Sequence, residues 1–180
     1  MSEPIRDFFR KRKIEKYSKG LPTGLVPMSD ISTVNVIMDV EDVEWNALKE
    51  DILAWGKATG IKVEIYFFDF RKLGKDEILL TSIQTTVARK DLNWYDMPTY
   101  EKIAPMIEQE SDLLISLIDN GDFPIEFISK CSTARFKIGR KAYQGHCYDM
   151  IISGRQNDGV STCARDVFAG IMEFLEKIKK

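Results

Sequence analysis

Only one histidine, His146, and three cysteines, at positions 131, 147 and 163, occur among the 180 residues of this chain, and each shortage removes a class of chemistry. Cysteines that are odd in number, widely spaced and without a CxxC pair suit reduced thiols in a reducing compartment, so no disulfide is expected. An ordinary structural zinc site needs a second histidine or a close cysteine pair; with neither present, no metal is assigned. Ser-His-Asp catalysis would have to use His146, yet no GxSxG elbow exists. A phosphatase-type loop wants an arginine six positions after its cysteine, where Lys137 follows Cys131 and Ala169 follows Cys163. The three cysteines are therefore read as small buried or half-buried thiols, although Cys163 lies near a helix N-terminus, where a thiolate is stabilised. His146 is read as solvated or at the core edge.

An excess of charge of one sign is missing too. Lysine and arginine number 26 against 28 acids, so no overall field draws the chain onto nucleic acid or an anionic membrane. No run approaches the roughly 20 apolar residues that span a bilayer, and no apolar stretch like that of a signal peptide stands near the N-terminus. The expectation is a cytoplasmic protein with no transmembrane segment. Phosphate-binding loops are absent as well: Gly56-Lys57 is followed by Ala58 and Gly74-Lys75 by Asp76, and neither completes a Walker loop. Where a dinucleotide binder carries GxGxxG after its first strand, this chain has Asp39-Val40-Glu41-Asp42, whose acids repel a pyrophosphate. No cofactor is assigned.

What is present is an ordinary globular composition, 44% hydrophobic and 30% charged, in a chain long enough for one core. Residues 1–30 read as a basic N-terminal helix and linker, and residues 31–180 as a single α/β domain. The first nineteen residues carry Arg6, Arg10, Lys11, Arg12, Lys13, Lys16 and Lys19 against Glu3, Asp7 and Glu15. There Ile5, Phe8, Phe9 and Tyr17 suggest an apolar stripe that packs on the body or a partner and leaves the cations outside. Gly20 and Pro22 end the helix.

Residues 33–39, TVNVIMD, are β-branched and almost continuously apolar, as in a strand buried on both faces of a parallel sheet. Trp45, Leu48, Ile52 and Trp55 then mark one face of a helix that Gly60 stops, and residues 61–70 form a second strand, completing a βαβ unit. Beyond it the pattern predicts a strand near 77–83, a turn at 91–97, and a helix over 98–109 that Pro105 must kink or break. It then predicts a strand at 112–119, a turn at 120–121, a helix over 123–131, a short strand at 135–138 and a buried strand at 148–153. A last helix over 162–178 is capped by Ser161 or Thr162. Together these elements give a Rossmann-like three-layer sandwich with a mostly parallel sheet of five or six strands and helices on both faces. Val36, Ile37, Leu114, Ile115, Met150 and Ile151 are expected in adjacent central strands, nearly fully buried.

Four phrases carry a family likeness: RKDLNWYDMP at 89–98, SDLLISLID at 111–119, SKCSTARFKIGRK at 129–141 and YDMIISGR at 148–155. Together they resemble an uncharacterised family of small Bacteroidetes proteins, a domain of unknown function, over most of the chain. The resemblance implies a bacterial cytosolic α/β protein without an established activity, and it carries no catalytic residue across.

Candidate sites therefore come from topology. Ligands of open α/β sheets bind outside the carboxyl ends of the strands, where Asp39, Asp69, Asp119 and Arg155 fall. A crevice there would be lined by Asp39, Asp119, Arg155 and Asn157. Carboxylates opposed to an arginine suit a polar, zwitterionic or hydroxylated molecule, whereas a polyphosphate needs more cations or a metal bridge. The plainer reading is that Asp39 and Asp119 cap the turns or helices that follow. Lys137, Arg140 and Lys141, flanked by Phe136 and Tyr143, could meet an anion or nucleic acid, but the alternation ARFKIGRK equally suits a strand with an exposed cationic side. Three functions stand open, in this order: a non-enzymatic binding or interaction domain with a protein partner or small polar ligand; an enzyme acting on a small anionic or polar metabolite; and a nucleic-acid or membrane-surface accessory working through residues 1–19. No catalytic residue is assigned.

Overall fold

The computed structural model describes residues 3–72, 74, 78–153 and 163–178. Among these, six strands form one sheet in which every pairing is parallel. The strands are β1 (Thr33–Asp39), β2 (Lys62–Asp69), β3 (Thr86–Ala88), β4 (Leu113–Ser116), β5 (Phe136–Gly139) and β6 (Met150–Ile151), in the spatial order β3-β2-β1-β4-β5-β6. The helices are α1 (Glu3–Tyr17), α2 (Trp45–Thr59), α3 (Tyr100–Glu108), α4 (Phe123–Cys131) and α5 (Ala164–Lys177). The architecture is the α/β Rossmann-like sandwich that the strand and helix alternation implied.

Burial on both faces explains the continuous apolar character of β1. Val34, Val36 and Met38 turn towards a core closed by α2 and α5, with Leu48, Ile52, Val167, Phe168 and Ile171. Ile37, from the other side of the same strand, meets α3 and α4 through Ile103, Met106, Ile125 and Phe127. Gly60 closes α2 in the left-handed conformation, φ 73°, which costs glycine nothing for want of a Cβ. Gly139 serves a different need: a Cβ there would stand 2.3 Å from the ring of Tyr148, so only glycine lets that ring cover β5. At the amino edge of the sheet Asp112 fastens β1 to β4. Its Oδ2 accepts from the backbone N–H and hydroxyl of both Ser32 and Thr33, and Oδ1 accepts from Arg135 at 3.0 Å. Burial works against the charge, but these donors outweigh it and hold the carboxyl well below the usual carboxylate range.

Several expectations are corrected. Residues 78–83 form no strand; β3 comes later, at Thr86–Ala88, while Ile78, Leu80 and Ile83 stay exposed. β4 ends at Ser116, although Leu117 and Ile118 beyond it remain buried. β6 is two residues long at the sheet edge, so Met150 is only half-buried and Ile151 is exposed, unlike Val36, Ile37, Leu114 and Ile115. Pro105 does not break α3. It lies on the exposed side, and the carbonyl deprived of its N–H belongs to Glu101, which is also exposed and open to water. Ser161 and Thr162 lie outside the described residues, and the residue before α5 is Cys163.

The N-terminal helix departs most from its expected orientation. Positions 10, 14 and 17 share the inward face. Arg10 lies over the Phe123 ring at 4.8 Å, and Tyr17 stacks on Tyr100 at 5.4 Å. Ile14 joins Tyr17 against the α3–α4 core, and Phe9 sits on Trp94 and Tyr95. Arg6 and Arg10 both reach Asp96, while Ile5 and Phe8 remain exposed.

Candidate functional site

The order of the strands places one topological switch point between β1 and β4, whose following chains leave in opposite directions across the sheet. After β1 the chain turns through residues 40–44, and the Glu41 N–H donates to Asp39 Oδ1 at 2.8 Å. The turn-capping role of Asp39 is therefore real, but it engages only one carboxylate oxygen. The other accepts a long bond, 3.4 Å, from the Asn120 amide in the loop after β4.

Between these loops stands Arg140, the first residue beyond β5. Its backbone N–H continues the ladder to the Ser116 carbonyl, which fixes where the side chain begins. The guanidinium donates to Asp42 at 2.7 Å and to the Leu117 carbonyl at 3.1 Å, and it pairs with Asp119 at 3.0 Å. With its side chain 6% exposed, this one cation clasps the loop after β1 to the loop after β4. The crevice so formed encloses about 320 Å³, lined by Asp39, Asp42, Asp119, Asn120, Arg140 and Cys163.

Among the described residues that line it, acids outnumber cations. Burial pushes the Asp39 carboxyl up to about 6; the Glu41 N–H opposes this, and the negative charges of Glu41, Asp42 and Asp122 add to it. Near neutral pH this crevice can therefore accept a positive charge, donate or accept hydrogen bonds to hydroxyls, and exchange a proton at Asp39. Cys163 precedes α5 and donates its thiol to Asp166 at 3.3 Å.

Of the four residues expected to line a crevice here, Asp39 and Asp119 come to one cavity. Arg155 and Asn157 lie outside the described residues. Asp69, the remaining acidic strand end, does not line this crevice: it is fully buried, with both oxygens on the Arg71 guanidinium at 2.8 and 2.7 Å. Arg140 had been grouped with Lys137 and Lys141 on an exposed cationic strand side. In the structure Lys137 and Arg140 are 6% and 7% exposed, the first because it runs under α4 and the second because the loops after β1 and β4 close around it, and only Lys141 is exposed. A signal for Arg140 did exist: it immediately follows a strand whose neighbour, β4, borders the switch point.

Cys131 is buried, Cys147 and Cys163 are half-buried, and all three are free thiols. Burial pushes Cys131 up to about 12 and Cys147 to about 11, so neither is a ready thiolate. His146 is exposed. Among the described residues no three histidine, cysteine or acidic side chains gather as metal ligands, and no helix is long and apolar enough to cross a membrane.

A family model described as a family of unknown function (DUF6913) matches residues 6–165. The chain matches no curated protein and no solved structure.

Proposed function

Because the chain belongs to this family of unknown function, its role must be read from its own geometry, and we propose that it is a binding domain for a small polar molecule. The ligand carries an amine, a zwitterionic group or several hydroxyls and sits in the crevice at the switch point. The observation that supports this is the Arg140 clasp, which holds Asp42 and Asp119 beside Asp39 around one cavity where open α/β sheets take their ligands. The Arg140 pairs with Asp42 and Asp119 lie within the fold, so among the described lining residues the charge left facing a ligand is negative, which disfavours a polyphosphate. Arg155 and Asn157, which lie outside the described residues and which the sequence puts after β6, belong to the same proposal. The cytoplasmic setting and bacterial, Bacteroidetes origin implied by the sequence go with this reading, as does the division into residues 1–30 and 31–180.

A second reading, an enzyme acting on a small polar metabolite, rests on Asp39 alone. A carboxyl titrating near 6 in a ligand-sized crevice is suited to general acid–base work. The nucleic-acid reading has less behind it, since Arg6 and Arg10 are already engaged by Asp96.

Thermal unfolding of the full chain against amines, amino acids, polyols and nucleotides tests the proposal. An amine- or hydroxyl-bearing compound should raise Tm in the wild type, and Asp119→Ala should diminish the shift. No shift from any such compound, or one that Asp119→Ala leaves intact, removes the crevice as the binding site.

A further inference from the structure

A second buried cation lies on β5 at Lys137, and its surroundings differ from those of Arg140. The backbone N–H of Lys137 donates to Asp149 Oδ2 at 2.8 Å, while its side chain runs under α4, where Nζ donates to the Ser129 carbonyl at 3.1 Å. Among the described residues that carbonyl is the sole partner of the ammonium, which has three N–H donors. The Asp149 carboxylate is engaged elsewhere, with Oδ1 accepting from the Thr23 hydroxyl and Oδ2 from the Lys137 backbone. A buried ammonium with one hydrogen bond and no ion pair is costly. Its pKa is accordingly pulled down, by desolvation first, against the opposing influence of Cys147, Asp149 and Cys131.

Lys137 is not sealed in. It lines a cavity of about 370 Å³ between the end of α1, the linker that follows, the end of α4 and the loop before β6. Lys19, Lys130, Thr23, His146 and Cys147 also line it, and no acid does so among the described residues. Lys130 is paired with Glu126 at 2.6 Å, so the nitrogen-bearing side chains of the lining without a carboxylate partner are Lys137 at the wall and Lys19 and His146 on exposed chain. This is the reverse of the switch-point crevice, and lies on a different part of the sheet.

We propose that this cavity binds a small oxyanion, a carboxylate or phosphate group, which completes the hydrogen bonding of the Lys137 ammonium and faces Lys19 and His146 at the rim. The site is independent of the crevice and stands whether or not the crevice holds a ligand.

The test is thermal unfolding of the full chain with inorganic phosphate, and separately with acetate, each against potassium chloride at matched ionic strength. A saturable rise in Tm with one or both oxyanions, absent in chloride, is expected; which of the two acts distinguishes phosphate from carboxylate. Lys137→Met should weaken the apparent affinity by about tenfold or more, the effect of one charge-assisted pair, while Lys141→Met, on an exposed lysine outside the cavity, leaves it unchanged. If Lys137→Met does not fold, Lys19→Met combined with His146→Gln, both at exposed positions, should weaken it several-fold. No saturable rise with either oxyanion overturns the proposal. So does a rise that survives Lys137→Met or, where that variant fails to fold, survives the rim double variant.

Discussion

Arg140 and Lys137 leave the same short strand for opposite environments, and the contrast shows two uses of a buried cation. Arg140 meets two carboxylates and a carbonyl, so its charge is answered within the fold and its role is to hold two loops together. Among the described residues Lys137 meets one carbonyl, beside a cavity lined by no acid, so its charge has no ion-pair partner there. Guanidinium and ammonium chemistry fit these roles: the planar fork can bridge two carboxylates, whereas the compact ammonium shifts its proton affinity readily when desolvated.

Substitutions separate the two regions by size and sign of effect. Ile115→Ala, in the sheet both regions share, should cost about 2 to 5 kcal/mol in urea unfolding and weaken both alike. Removing the clasp with Arg140→Met should cost about 2 to 4 kcal/mol. That is somewhat below the usual cost of breaking a buried pair, because Asp119 is 53% exposed and can be solvated, while Asp42 cannot as readily. Equal stability of this variant and wild type would contradict the clasp.

Asp39→Asn should change stability in the other direction. The folded pKa of Asp39, about 6, lies above its ordinary value of 3.8, so its contribution is fully present below about pH 4 and is lost as pH rises through 6. Asparagine escapes that loss and can still accept from the Glu41 N–H. The variant should gain about 1 to 2 kcal/mol above pH 7, allowing for partial solvent exposure, and nothing below about pH 4. A gain independent of pH would show that the carboxyl is not perturbed by burial. The smallest effect belongs to Lys137→Met, which trades an unpaired buried charge for an apolar side chain of similar length. Its stability in phosphate-free buffer should stay within about 1 kcal/mol of wild type or rise, whereas a loss as large as that of Arg140→Met would erase the distinction between the two cations.

The sequence made some of this arrangement legible, for physical reasons that differ element by element. β1 and α4 could be bounded correctly because a continuous β-branched run and a helix begun by Asp122 and Pro124 carry strong local signals. β3 could not, since three residues leave no periodicity to read, and the more apolar stretch before it stays in solvent. Asp39 and Asp119 were found by the strand-end rule, which needs only the order of elements. Arg155, the cation that the same rule names, lies outside the described residues, while alternation in ARFKIGRK suggests an exposed cationic side for a segment in which Arg140 is buried. Alternation reports one solvated face only when that face is uncovered, and β5 has α5 on one side and, on the other, α4 at Lys137 and the Tyr148 ring at Gly139. The cavity at Lys137 was hidden for the same reason and by a second one. Its walls come from chain as distant as Lys19 and His146, which no local pattern joins.

The difference between the two cations can be measured most directly at Lys137 itself, by an NMR titration of its side-chain ε-methylene and ammonium signals with and without inorganic phosphate. In the free protein the lysine should lose its proton below the ordinary value of about 10.4, and phosphate should move that titration upward by supplying the missing charge partner. A Lys137 that titrates normally in the free protein, or whose titration phosphate does not move, would contradict an ammonium left unanswered by the fold.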